Sequence, residues 1–205
     1  AKCLHFGQRE HPGKGCGGCT YQMLSYDDQL ALKTAQVKMA MAAHGIDSET
    51  VLPALPSPSA WHYRNKMEFS FGDDRARDFA LGLYPSGWRN EVISLQNCFL
   101  QSEATAQMVV AIGKWCAEKG LQAYKPRSNT GFLRQLIIRE GKRTGERLVE
   151  LVTSLDETLL FGGVETPVTD VARHFADAVE AISAALGHQV TSIYWTQHRA
   201  IRGER

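Results

Sequence analysis

The spacing of apolar residues changes character several times along this chain, and each change marks a different element. The first twenty residues follow neither a helical nor a strand period and are rich in Gly and Cys, so they read as a loop ordered by something other than a core. From residue 21 to 44 the apolar positions Leu24, Leu30, Val37 and Met41 recur near helical spacing, with Gly45 as the stop. Three prolines in PALPSP make 52–58 a linker that cannot continue a helix. Beyond it the period drops to two. Residues 63–71 set Met67, Phe69 and Phe71 on one face and Lys66, Glu68 and Ser70 on the other, and short strands are expected at 79–84 and 91–95. A second helix is expected over 102–120, opened by Ser102 and closed by Gly120. Two longer strands, 132–139 and 147–153, are joined by the hairpin-like EGKRTGE, then come a helix over 170–186 (Val171, Phe175, Val179, Ile182) and a strand at 190–196.

Strands and helices fall in blocks without strict alternation, and this predicts an α+β fold: an antiparallel sheet flanked by helices, with a cysteine-rich loop at the N-terminal end. Two parts are expected, 1–50 with the loop and first helix, and 51–205 with the sheet. A 205-residue chain with 43% hydrophobic and 22% charged residues is a folded protein and excludes a disordered or fibrous one. No apolar run reaches the roughly 18 residues of a spanning helix, and the first residues lack a signal-type apolar stretch, so no membrane association is expected and the cytoplasm is the expected location. The net charge of +1 excludes a histone-like polycation but conceals segregation. Seven basic residues face two acidic ones between Lys125 and Arg147, whereas six acidic residues face one basic one between Leu155 and Gly187. That basic stretch is a candidate polyanion-facing surface.

The cysteines carry the chemistry. Cys16 and Cys19 form a C-x-x-C whose two inner glycines let backbone N–H groups turn toward thiolate sulfur. Cys3 lies in the same loop, and Cys98, in Gln96-Asn97-Cys98 after the third strand, would supply a fourth thiolate from far along the chain. Disulfides are disfavoured by the odd count of five and the absence of secretory features. A redox dithiol would need the motif to open a helix after a strand. A metal centre remains, and the spacing leaves zinc and an iron–sulfur cluster equally open. His5 and His11 are substitute ligands only, and Cys116, in the apolar stripe of the second helix, reads as a small core residue.

Taken in order, CLHF with GCGGCTYQ, Leu24-Ser25-Tyr26, Gln29-Leu30, Lys33, Tyr63-Arg64-Asn65-Lys66, Leu81-Gly82-Leu83-Tyr84, Asn97-Cys98, Gly131-Phe132-Leu133-Arg134 and Gly145-Glu146 resemble the RNA uracil-5-methyltransferases over almost the whole chain. The resemblance implies a [4Fe–4S] cluster on Cys3, Cys16, Cys19 and Cys98, and a ribosomal or transfer RNA substrate. It also implies S-adenosylmethionine as methyl donor, bound in a catalytic domain that would follow residue 205. The twelve residues between Cys3 and Cys16 make a wider gap than the family usually shows, a length that loop closure tolerates cheaply. No catalytic residue is assigned within these residues, and the piece by itself is expected to be inactive and a monomer. A radical S-adenosylmethionine enzyme would need a C-x-x-x-C-x-x-C run that is not present. A zinc-organised binding module without methyltransferase activity is the alternative. Arg64, Lys66, Arg134 and Arg139 are the expected phosphate contacts, with Phe132 or Trp88 as surfaces for base stacking.

Overall fold

The computed structural model describes residues 2–7, 15–74 and 77–199. The first helix, α1, runs over Tyr26–Ala43, and not from residue 21, because the Ser25 side chain accepts from Asp28 N–H and fixes the start there. A short 3-10 turn, Ser48–Thr50, precedes the proline linker. The linker runs back along the helix, with Ala54 N–H donating to Thr34 Oγ1 at 3.0 Å and Ser57 N–H to the Tyr26 hydroxyl at 2.8 Å.

The sheet follows in the strands β1 (Lys66–Asp74), β2 (Arg77–Leu83), β3 (Ile93–Ser94), β4 (Leu133–Glu140), β5 (Arg147–Thr153) and, after an excursion, β8 (Ser192–Gln197). Helix α2 (Glu103–Glu118) lies between β3 and β4. Strand β1 begins at Lys66 and not at residue 63, because His62 takes a left-handed φ of 56° and the N–H groups of His62 and Arg64 bond to Phe99 and Leu100 carbonyls outside the sheet. The excursion contains a hairpin beyond the expected elements, β6 (Thr158–Phe161) and β7 (Val164–Pro167), turned at Gly162-Gly163, both with positive φ. A two-residue Gly-Gly turn between apolar residues is the sequence signal for it. Helix α3 (Val168–Ala185) starts on Pro167.

The strand order is β3-β2-β1-β4-β5-β8. All neighbours are antiparallel except β5 and β8, which are parallel, with Val149 opposite Ile193 and Leu151 opposite Trp195. The sheet is therefore mixed, which corrects the expectation of a purely antiparallel one. The reason is the length of the connection: a hairpin and an 18-residue helix carry the chain back to the starting end of β5, as parallel pairing requires.

Helices α2 and α3 cover one face. Met108, Val109, Ile112 and Cys116 of α2, with Val171, Phe175 and Val179 of α3, pack on Met67, Phe69, Leu136, Ile138, Val149 and Leu151. The period-two reading of β1 holds for its apolar face. The opposite face is uncovered and carries Lys66, Glu68, Arg139, Tyr194 and Thr196, all exposed. Gly82 has no room for a side chain, since a Cβ there would lie 1.9 Å from the Ile93 carbonyl oxygen, and this close approach pairs β3 onto β2. The chain then leads through Leu95 to Cys98 beneath the N-terminal loop. No helix among the described residues is long and apolar enough to cross a membrane.

Candidate metal centre

The N-terminal loop is tied to the end of β2 by backbone bonds. Gly17 N–H donates to Tyr84 O at 2.9 Å, Ser86 N–H to Gly15 O at 3.0 Å and Cys16 N–H to His5 O at 2.8 Å. Gly17 and Gly18 permit this contact: a Cβ on Gly17 would lie 3.0 Å from Tyr84 O, and one on Gly18 2.9 Å from Leu83 Cδ1. Cys3 is held by its own N–H, which donates to Gln22 Oε1 at 3.1 Å, and Arg64 Nη2 reaches Gly18 O at 3.5 Å.

Those anchors bring Cys3, Cys16, Cys19 and Cys98 to the lining of one small cavity, together with Gln22, Asn97 and apolar side chains including Phe6, Leu83 and Leu100. The third strand ends earlier than expected, at Ser94, so Cys98 sits in the turn leading to α2. All four thiols are unpaired. Burial, and then the neighbouring thiols Cys98, Cys19 and Cys3, push the Cys16 thiol up to about 11, against the pull of Gly18 N–H, which donates to its Sγ at 3.4 Å. Burial also raises the Cys98 thiol, while the Leu100 and Gln101 N–H groups pull it the other way. Cys16 and Cys98 are thereby held as thiols, and positive charge entering the pocket would favour their thiolates. No three His, Cys, Asp or Glu side chains among the described residues are gathered around the position of a single ion.

His5 does not face that cavity as a ligand would. It is 4% exposed, and its Nε2 accepts from Gln96 N–H at 3.1 Å, which places the proton of the neutral ring on Nδ1. Burial lowers its pKa and keeps it neutral. His11 lies outside the described residues. Cys116 is fully buried beneath α2, where burial drives its thiol pKa upward, in keeping with a core role.

Of the four expected phosphate contacts, two come together: Lys66 and Arg139 stand directly opposite each other on β1 and β4 on the uncovered face, with Glu68 paired to Lys66. Arg64 is turned toward the loop and Met67. Arg134 lies 3.6 Å from the centre of the Tyr124 ring with His198 Nδ1 at 3.4 Å, an arrangement the sequence pattern did not signal. Phe132 is core, whereas Trp88 is exposed. Part of the basic excess is spent internally, since Lys125 pairs with Asp73 at 3.1 Å and Lys142 and Arg147 pair with Glu140.

Known proteins share this framework. An RNA methyltransferase of Protochlamydia amoebophila, itself uncharacterised, is 38% identical over 157 residues, covering 75% of this chain and 33% of the relative. One from Caldanaerobacter subterraneus is 36% identical over 152 residues, covering 74% and 32%. The chain belongs to the RNA methyltransferase family that its motifs resemble. It spans about a third of the length of these relatives. Among solved structures, the Pyrococcus abyssi tRNA (uracil-54, C5)-methyltransferase, in complex with S-adenosyl-L-homocysteine, shares the fold with a TM-score of 0.61. It is 22% identical, with 92% of this chain and 38% of that one covered. No family model matches the chain.

Proposed function

We propose that this chain is the cluster-bearing, RNA-holding part of a cytoplasmic enzyme that transfers a methyl group from S-adenosylmethionine to C5 of a uridine in ribosomal or transfer RNA. Donor binding and methyl transfer belong to a further domain of the longer protein, and no residue described here takes part in them. The observation that carries the reading is the convergence of four cysteines, from two segments some eighty residues apart in sequence, on one cavity in a chain of RNA methyltransferase ancestry.

Cys3, Cys16, Cys19 and Cys98 hold a [4Fe–4S] cluster in this reading. Four cysteine thiols lining one cavity supply the all-thiolate donor set that such a cluster takes. The cluster supplies charge and covalent order to a loop with few apolar residues of its own. Lys66 and Arg139 meet the RNA backbone, and Tyr194, exposed on the same face, offers a ring for an unstacked base.

Anaerobic purification with visible spectroscopy and iron, sulfide and zinc analysis tests the metal. About four irons and four sulfides per chain are expected; a colourless protein with one zinc per chain overturns the cluster and favours a zinc-organised binding module. RNA affinity measured against salt tests the partner. Arg139→Glu should weaken binding and flatten the salt dependence by about one phosphate contact, and salt-independent binding overturns the assignment.

A further inference from the structure

Asn97 stands beside the candidate cluster ligands, and its chemistry is unaccounted for. Its side chain lines the same cavity as the four cysteines, and its Oδ1 is sealed from solvent with no hydrogen-bond donor. A buried carbonyl oxygen left in this way is unfavourable, because it has given up its water and gained no donor. The other carboxamide on the cavity is engaged: Gln22 Oε1 accepts from the backbone N–H of Cys3. The remaining neighbours Phe6, Leu83, Leu95, Phe99 and Leu100 offer no side-chain polar atom.

Thiolates and cluster sulfides are acceptors only, so an amide oxygen facing them is repelled. A half-turn of the carboxamide exchanges Oδ1 for Nδ2 in the same volume, because the two ends are nearly equal in size and shape. The backbone around the cavity already follows this rule, with Gly18 N–H directed at Cys16 and the N–H groups of Leu100 and Gln101 at Cys98. We propose that Asn97 is a positioning residue for the cluster, turning its side-chain N–H toward a cluster or cysteine sulfur as a side-chain donor beside the backbone ones. This rests on the cluster reading above. An N–H···S bond favours the reduced, more negative form, so it raises the reduction potential and slows oxidative loss.

The test uses the chain loaded anaerobically, with Asn97→Asp, which keeps the shape but removes the donors, and Asn97→Leu, which removes both polar ends. Both variants should show a lower reduction potential by spectroelectrochemistry, Asp more than Leu, and a several-fold faster bleaching in air. Thermal melting of the sheet should be unchanged. A second measurement needs no variant: electron-nuclear spectroscopy of the reduced wild-type cluster, in protein carrying side-chain 15N-asparagine, should show coupling to an amide nitrogen. Unchanged potentials in both variants, or no 15N coupling, with four irons per chain overturn the inference and leave the cluster reading intact. A wild-type chain that takes up no iron overturns both.

Discussion

Glu140 shows how much one side chain can join. At the end of β4 it is nearly buried, and it accepts from Ser102 N–H at 3.2 Å, from the Ser102 and Thr105 hydroxyls, and from Lys142 Nζ at 2.5 Å, with Arg147 Nη2 at 3.4 Å. One carboxylate thus ties the start of α2 to both strands of the β4–β5 hairpin. Burial pushes its pKa up, but the donors outweigh burial and hold it at about 2. Because the folded value lies below the unfolded one, the stabilisation is complete above the ordinary carboxylate value of 4.5 and is lost as the pH falls toward 2. At about 1.4 kcal/mol per unit of pKa, it is on the order of 3 kcal/mol. Glu140→Gln should therefore unfold at lower urea than the wild type at pH 7, by about that amount. The gap should narrow below pH 4.5 and close near 2. A gap that stays constant between pH 7 and 2 would mean that the carboxylate's charge contributes nothing. No local motif signals this hub, because its members are joined by strand pairing. By contrast, Met67, Phe69 and Phe71 were legible, since a period of two is a local property of one strand.

Helices α1 and α2 have similar lengths but opposite relations to the core. The sequence shows apolar residues at helical spacing in both, yet α1 has no buried residue, and Met39 is 72% exposed and Val37 45%. Its partner is the linker lying along it, whose Leu55 is itself 92% exposed. Helix α2 instead drives Met108, Val109, Ile112 and Cys116 into the sheet. Periodicity tells that a helix forms, but it does not tell whether anything lies against its stripe. Met39→Glu should consequently change unfolding free energy by less than about 0.5 kcal/mol, while Ile112→Ala should cost about 2–5 kcal/mol through the cavity it leaves. Comparable losses from the two substitutions, measured by urea denaturation, would show that α1 is packed more closely than its exposure implies. The parallel pairing of β8 was illegible for a related reason. The apolar pattern of 190–196 is the same for either direction, and only the long crossover through α3 decides it.

At the scale of the molecule, a loop with little apolar content is fastened to a sheet with a core of its own. The C-x-x-C was visible in the sequence with Cys3 in the same loop, and Cys98 could be offered as a fourth thiolate, but nothing local marks a thiol eighty residues away as belonging to the same site, and the family resemblance was what named the set and its cluster. The structure adds the fastening: Gly17 to Tyr84, His5 to Gln96, and Arg64 to Gly18. These bonds hold the loop on its sheet side, while the cysteines would hold it on the cavity side through the cluster. The core of Phe69, Leu136, Leu151, Ile112 and Phe175 is built from the sheet and its helices, and the loop adds Cys19 against it. The two parts should therefore lose order separately. In the iron-loaded protein, Cys19→Ser should raise the rate of proteolysis within the first twenty residues by about tenfold or more, equivalent to roughly 1.4 kcal/mol of local stability, when cleavage is slow relative to reclosing. Thermal unfolding of the sheet, followed by the near-ultraviolet signals of Trp115 and Trp195 in the packed layer, should shift far less. Iron chelation of the wild type should reproduce the proteolysis without the substitution. Unchanged cleavage after both treatments would mean that the sheet-side hydrogen bonds order the loop alone, and a collapse of the tryptophan signals would mean that loop and sheet fold as one unit.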